Sequence, residues 1–142
     1  RDFCLSRGLG DVYKRQKAYH NVVGDVMEYL LTRTEACEAM GIGRTKLMLD
    51  PGLGFAKDVS GNLELSRGLA ELTGHGIPVL VAGSRKGYIG KVLGDLPPEE
   101  RLEGTMALSA AAVFAGTQMV RVHDVKENVR LIRMLEAILS CR

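Results

Sequence analysis

The chain has 142 residues, with 19 Lys and Arg against 17 Asp and Glu for a formal net charge of +2, 46% hydrophobic residues and no tryptophan. That balance, with basic residues spread along the chain, gives no electrostatic footprint for nucleic acid or an anionic membrane. No apolar run approaches the roughly 20 residues of a membrane-spanning helix, and the three cysteines have neither paired nor metal-ligand spacing, which points to a reduced, cytoplasmic protein.

The first stretch is set aside before the fold is read. Asp11-Val12-Tyr13-Lys14-Arg15-Gln16 resembles the translation of one frame of a transposon end used in DNA-library preparation. Residues 1–16 are therefore read as an assembly scar rather than a divergent leader, and they lack the continuous apolar core of a signal peptide. The domain is expected to run from 17 to 142.

From Val22 to Met40 the apolar residues Val23, Met27, Leu30, Leu31, Cys37 and Met40 recur with helical spacing, closed by Gly41. Lys46 to Asp50 is predicted as a strand. Asn62 to Leu72 places Leu65, Leu69 and Leu72 on one helical face ended by Gly74, and Ile77 to Ala82 is a strand opened by a proline. A short helix follows Gly87. Thr105 to Ala115 is an alanine-rich helix and Gln118 to His123 a third strand. Val125 to Ser140 is a last helix with Val129, Ile132, Leu135 and Leu139 on its buried side. His75 reads as a surface residue and the methionines at helical spacing as core filler. The alternation predicts a parallel α/β fold whose site lies at the carboxyl ends of its strands.

Three polar motifs sit at those ends: Asp50-Pro51-Gly52-Leu53-Gly54-Phe55-Ala56-Lys57, Ser84-Arg85-Lys86-Gly87-Tyr88-Ile89-Gly90 and Arg121-Val122-His123-Asp124. Asp50, followed by glycines that let backbone approach a flat ligand, can accept paired hydrogen bonds from an amino-pyrimidine edge; it can equally cap a turn. Ser84, Arg85 and Lys86 form either a donor cluster or a solvated basic loop. Gly87 opens a helix whose free amides favour an anion. Arg121 and His123 alternate along one strand and so share a side. Together they suit a phosphate, while either alone reads as a structural ion pair. Convergence of three motifs on one end of neighbouring strands favours a site.

In order, wording and spacing the three motifs resemble those of the dihydropteroate synthase family, a folate-pathway family built on a (β/α)8 barrel. The resemblance implies the carboxyl-terminal half of that TIM barrel, helix 5 to helix 8 with strands 6 to 8, since a whole barrel takes about 250 residues. Three parallel strands would leave two unpaired edges, so the isolated chain is expected to aggregate or to pair with another copy.

The activity implied is condensation of 7,8-dihydropterin-6-ylmethyl diphosphate with p-aminobenzoate, giving 7,8-dihydropteroate and pyrophosphate. Mg²⁺ would sit on the diphosphate, held mainly by the absent half, with no metal ligand in this chain. The leaving group would depart largely before attack, so separating charge must be stabilised. Carried onto matching positions, Asp50 and Lys86 contact the pterin edge, Arg121 stacks on the pterin, and Leu80 and Ala82 lie beneath it. Arg121 and His123 line the diphosphate site, and Phe55, Lys86 and Gly87 the aminobenzoate pocket. Lys86, Arg121 and His123 are the candidate catalytic residues.

Many relatives carry serine where this chain has Gly87, which would weaken its hold on the aminobenzoate carboxylate or on sulfonamides, the inhibitors of the family. The family's first loops and its further pterin-binding Asp and Asn are absent. The chain alone is therefore expected to bind pterin weakly without turnover, and the full-length protein to form a homodimer. Two other readings stand beside this one. One is a pterin-binding domain of a corrinoid methyltransferase, against which the Ser-Arg-Lys and Arg-Val-His-Asp motifs argue. The other is a non-catalytic remnant or interaction module.

Overall fold

The computed structural model describes residues 21–141; the stretch set aside at 1–16 lies outside them. Helix α1 (Val22–Ala39) opens on Asn21, whose Oδ1 accepts from Gly24 N at 3.0 Å and so caps an otherwise orphaned amide. Its buried side is Val22, Val23, Leu30, Thr34 and Cys37. Met40 is 57% exposed because it is the residue on which the helix ends. A single 3-10 turn (Arg44–Lys46) leads to Leu47 and Leu49, both buried.

The single helix predicted from Asn62 to Leu72 is two, α2 (Val59–Arg67) and α3 (Leu69–Thr73), which meet at Gly68. A Cβ at Gly68 would stand 2.5 Å from Val23 Cγ2 of α1, so the close approach of α1 requires glycine there, and glycine is a poor helix residue. The predicted apolar face survives the break, with Leu65, Leu69 and Leu72 at 1% exposure or less.

Two of the three predicted strands are present in shortened form, and the first, Lys46 to Asp50, is reduced to a single bridge at Leu49. Strand β1 (Leu80–Val81) pairs in parallel with β2 (Met119–Val120), and Leu49 pairs with Val79 through a single parallel bridge. Leu49 N donates to Pro78 O and Leu80 N to Leu49 O, each at 2.8 Å. Pro78 and Pro51 bracket that bridge, and neither has an N–H to extend the ladder. The 76–82 segment is thus central, between 47–50 and 118–121.

Side chains alternate across this small sheet. Val79 and Val81, at 0% and 2% exposure, join Leu49 against the helices in one continuous core with Leu53, Leu65, Leu69, Leu72, Leu108 and Ala112. By the same alternation Met48, Asp50, Leu80, Ala82, Met119 and Arg121 lie on the opposite face. That face is open among the described residues, with Met48 37% and Met119 49% exposed. Of the methionines at helical spacing, Met27 packs against the core, whereas Met40 and Met134 are 57% and 61% exposed.

Helix α4 (Gly87–Val92) and a second 3-10 turn (Pro98–Glu100) precede α5 (Leu102–Phe114). Helix α6 (Val125–Ser140) has the predicted bounds but not the predicted buried side. Val129 is 40% and Leu139 56% exposed, and Ile132 and Leu135 are half-buried. The residue of α6 that is buried is Asn128, whose Oδ1 accepts from Ser109 Oγ of α5 at 2.6 Å. Docking through that polar contact leaves Ile132 and Leu139 lining a cleft with Val113, Met119 and Val120, which nothing among the described residues fills.

Candidate functional site

The loop after Leu49 is held by its own hydrogen bonds. Asp50 Oδ1 accepts from Gly52 N at 2.9 Å, so Asp50 does cap the turn, while its Oδ2 has no partner among the described residues. Gly52 and Gly54 take φ of 68° and 81°, the left-handed region that glycine enters at no steric cost. Asn62, 2% exposed in the first turn of α2, then pins the loop: its Oδ1 accepts from Gly54 N at 2.6 Å. Its amide donates to Lys57 O at 3.1 Å and Asp58 O at 2.8 Å. Lys57 Nζ donates to Gly52 O and Phe55 O at 2.9 and 3.0 Å. Phe55 is thereby fixed half-buried at the loop's tip.

The loop after β1 is built around Arg85, with φ of 55°. Its N–H donates to Thr105 Oγ1 at 3.0 Å, and its carbonyl accepts from Arg101 Nη1 at 2.9 Å. Its guanidinium donates from Nε to Asp124 Oδ2 at 3.0 Å and from Nη2 to Asp124 Oδ1 at 2.5 Å. This bidentate pair ties the second motif to the third. It also holds the Asp124 carboxyl below the ordinary carboxylate range, chiefly through those hydrogen bonds. Ser84 is buried and its Oγ lies 2.9 Å from His123 Nδ1. Of the expected Ser-Arg-Lys donor cluster only Lys86 is left to face outward, because its neighbours are consumed in joining the loops.

Lys86 crosses above the first loop, its ammonium 4.1 Å from the centroid of the Phe55 ring. A Cβ on Gly54 would lie 2.6 Å from Lys86 Cδ, so glycine at 54 leaves room for the lysine stem. Burial, and next the charge of Arg121, lower the Lys86 pKa below 10.5, with Asp50 acting the other way. Lys86 therefore feels both neighbouring strand ends.

The structure brings Asp50, Phe55, Lys86 and Arg121 together at the carboxyl end of the sheet, over the face that carries Leu80 and Ala82. Arg121 N donates to Val81 O at 2.9 Å, which extends the β1–β2 ladder to the site. His123 lies one step beyond, and exposed Gly87 begins α4, where a Cβ would meet nothing within 4 Å. The site is a surface rather than a closed cavity. Sequence reasoning missed Asn62, Thr105 and the Arg85–Asp124 pair as supports, since their partners lie 8, 20 and 39 residues away. Among the described residues no helix is long and apolar enough to cross a membrane.

Residues 6–123 match the family described as Pterin binding enzyme. The dihydropteroate synthase of Escherichia coli K12 is 41% identical over 141 residues, covering 98% of this chain and 50% of that protein. The Xanthomonas albilineans dihydropteroate synthase with 4-aminobenzoic acid superposes with a TM-score of 0.88 at 34% identity, covering 96% of this chain and 48% of that one. A Yersinia pestis dihydropteroate synthase in a sulfonamide drug complex gives a TM-score of 0.86 at 36% identity, over 93% and 47%. The chain thus spans about half the length of these relatives and matches the carboxyl-terminal half of a TIM barrel. On the family match and the shared fold, the chain belongs to the pterin binding enzyme family.

Proposed function

We propose that this chain is the pterin-contacting half of a dihydropteroate synthase, with residues 17–142 as its domain. In the whole protein, dihydropterin-CH2-diphosphate and p-aminobenzoate condense to dihydropteroate and pyrophosphate. The observation that carries the reading is the convergence of Asp50, Lys86 and Arg121 at one end of the sheet, with Lys86 over Phe55.

The free oxygen of Asp50 accepts from the amino-pyrimidine edge, and Lys86 donates to a ring nitrogen or carbonyl across from it. Leu80 and Ala82 offer an apolar floor for the ring, and Arg121 stacks upon it. As the bond to the diphosphate lengthens, negative charge grows on the leaving oxygens, which Arg121 and His123 meet with fixed donors. Phe55 and Gly87 border the place for p-aminobenzoate, as they would for a sulfonamide.

Mg²⁺ belongs to this reading as a partner of the diphosphate, neutralising its charge. Among the described residues no three His, Cys, Asp or Glu side chains come together in one group. A homodimer and a cytoplasmic location complete the proposal.

The test is a chimera in which residues 17–142 replace the corresponding half of the Escherichia coli relative. Dihydropteroate formation that is lost on Lys86→Ala or Arg121→Ala is the expected result. A folded chimera that makes no product, or whose activity survives both substitutions, would overturn the proposal.

A further inference from the structure

The contact between Ser84 and His123 carries a consequence beyond binding the two loops together. Ser84 is 8% exposed, and among the described residues its hydroxyl meets only His123: Oγ lies 2.9 Å from Nδ1 and accepts from His123 N at 3.1 Å. A hydroxyl has one hydrogen and two lone pairs. One lone pair is taken by the backbone N–H.

Two arrangements remain for the neutral ring. With the proton on Nδ1, the second lone pair is taken as well, and the buried hydroxyl hydrogen has no protein acceptor. With the proton on Nε2, the hydroxyl hydrogen is donated to Nδ1 and every group is satisfied. Leaving a buried donor unmade is the costlier choice.

We propose that Ser84 is a positioning residue that fixes His123 as the Nε2–H tautomer, presenting an N–H donor on the exposed side of the ring. Its hydroxyl plays the part that a backbone carbonyl or carboxylate plays for other functional histidines, with the polarity reversed: it donates, so the opposite nitrogen becomes the donor. The ligand class that fits is an oxyanion, because neutral Nε2–H can give a hydrogen bond but not accept one. Identifying that oxyanion as the diphosphate rests on the function proposed above; the tautomer does not.

Nitrogen-15 NMR of the imidazoles in the 142-residue chain at alkaline pH tests this without substrate. His20→Gln and His75→Gln spectra assign the three rings. Exposed His75 serves as the unconstrained reference. The expected result is a His123 ring shifted further toward the Nε2–H pattern than His75, a shift abolished in Ser84→Ala and restored in Ser84→Thr. An Nδ1–H pattern for His123, a ring indistinguishable from His75, or a Ser84→Ala spectrum unchanged from the parent would each overturn the proposal. The comparison with His75 decides even where Ser84→Ala does not fold. Pyrophosphate, added as the probe, is expected to broaden or shift Nε2 and to leave Nδ1 nearly unmoved; if the tautomer holds and pyrophosphate moves neither nitrogen, the diphosphate assignment falls and the positioning role stands.

Discussion

The Lys86 ammonium lies 4.1 Å from the centre of the Phe55 ring, so the second strand-end loop is clamped over the first by a cation on an aromatic face. The clamp exists because Gly54 beneath it has no side chain and because Arg85 is turned the other way, toward Asp124.

Holding a lysine there has a pH signature. The folded-state pKa of Lys86 lies below 10.5, mainly through burial and then through Arg121. Between the folded and unfolded values the unfolded chain binds more protons, so this group makes the fold more stable as pH rises toward 10.5. Lys86→Met is expected to remove that rise. The check is the difference in urea midpoint between the parent chain and the variant across the alkaline range. Tyr88, whose pKa is raised by burial, works in the opposite direction but equally in both chains and cancels.

The Arg85–Asp124 pair acts at the acid end. The pKa of Asp124 is lowered from 3.8 by its bonds to Arg85, so its contribution is complete above that value and is lost as pH falls through the folded-state value. Asp124→Asn is expected to flatten the acid limb of a pH–stability curve. It is also expected to loosen the Lys86 loop, seen as faster amide exchange at Lys86 and Gly87.

Asn62 is the polar bolt of the first loop. Replacing it with alanine strips partners from Gly54 N, Lys57 O and Asp58 O. The expected loss is about 1–3 kcal/mol of stability, measured by urea unfolding. Asn62→Asp keeps the acceptor for Gly54 but loses both donations, and is expected to recover only part of that loss.

Gly87 has open space where a side chain would stand, with nothing within 4 Å of an added Cβ. In the chimera described above, Gly87→Ser is expected to leave stability unchanged and to tighten binding of p-aminobenzoate and of a sulfonamide, by adding a hydroxyl donor at the start of α4. Titration of both ligands against both forms is the check. Unchanged affinities would show that residue 87 does not touch the carboxylate.

Much of this was legible in the sequence because it is local. The bounds of α6 follow from its own spacing, and Leu65, Leu69 and Leu72 share a face through periodicity alone. What was not legible depends on contacts distant in the chain. Gly68 splits a helix because Val23, 45 residues earlier, presses against it. The apolar side of α6 is exposed because Asn128 docks on Ser109 instead. Asp50 and Lys86 stand out in their motifs, whereas Ser84 and Arg85, which the sequence allows as part of a donor cluster or a solvated basic loop, are bound to His123 and Asp124. Single polar residues carry no periodic signal, so only geometry distinguishes a support from a contact.

Whether these strand ends hold a pterin is decided by calorimetric titration of the 142-residue chain with a pterin, alongside Asp50→Ala. Asp50 is half-buried, and its Oδ2 is free of protein partners among the described residues. The expected result is weak, saturable binding by the parent chain that Asp50→Ala abolishes while the fold is kept. No binding by the parent chain, or equal binding by both, would contradict the claim that these strand ends hold the pterin edge.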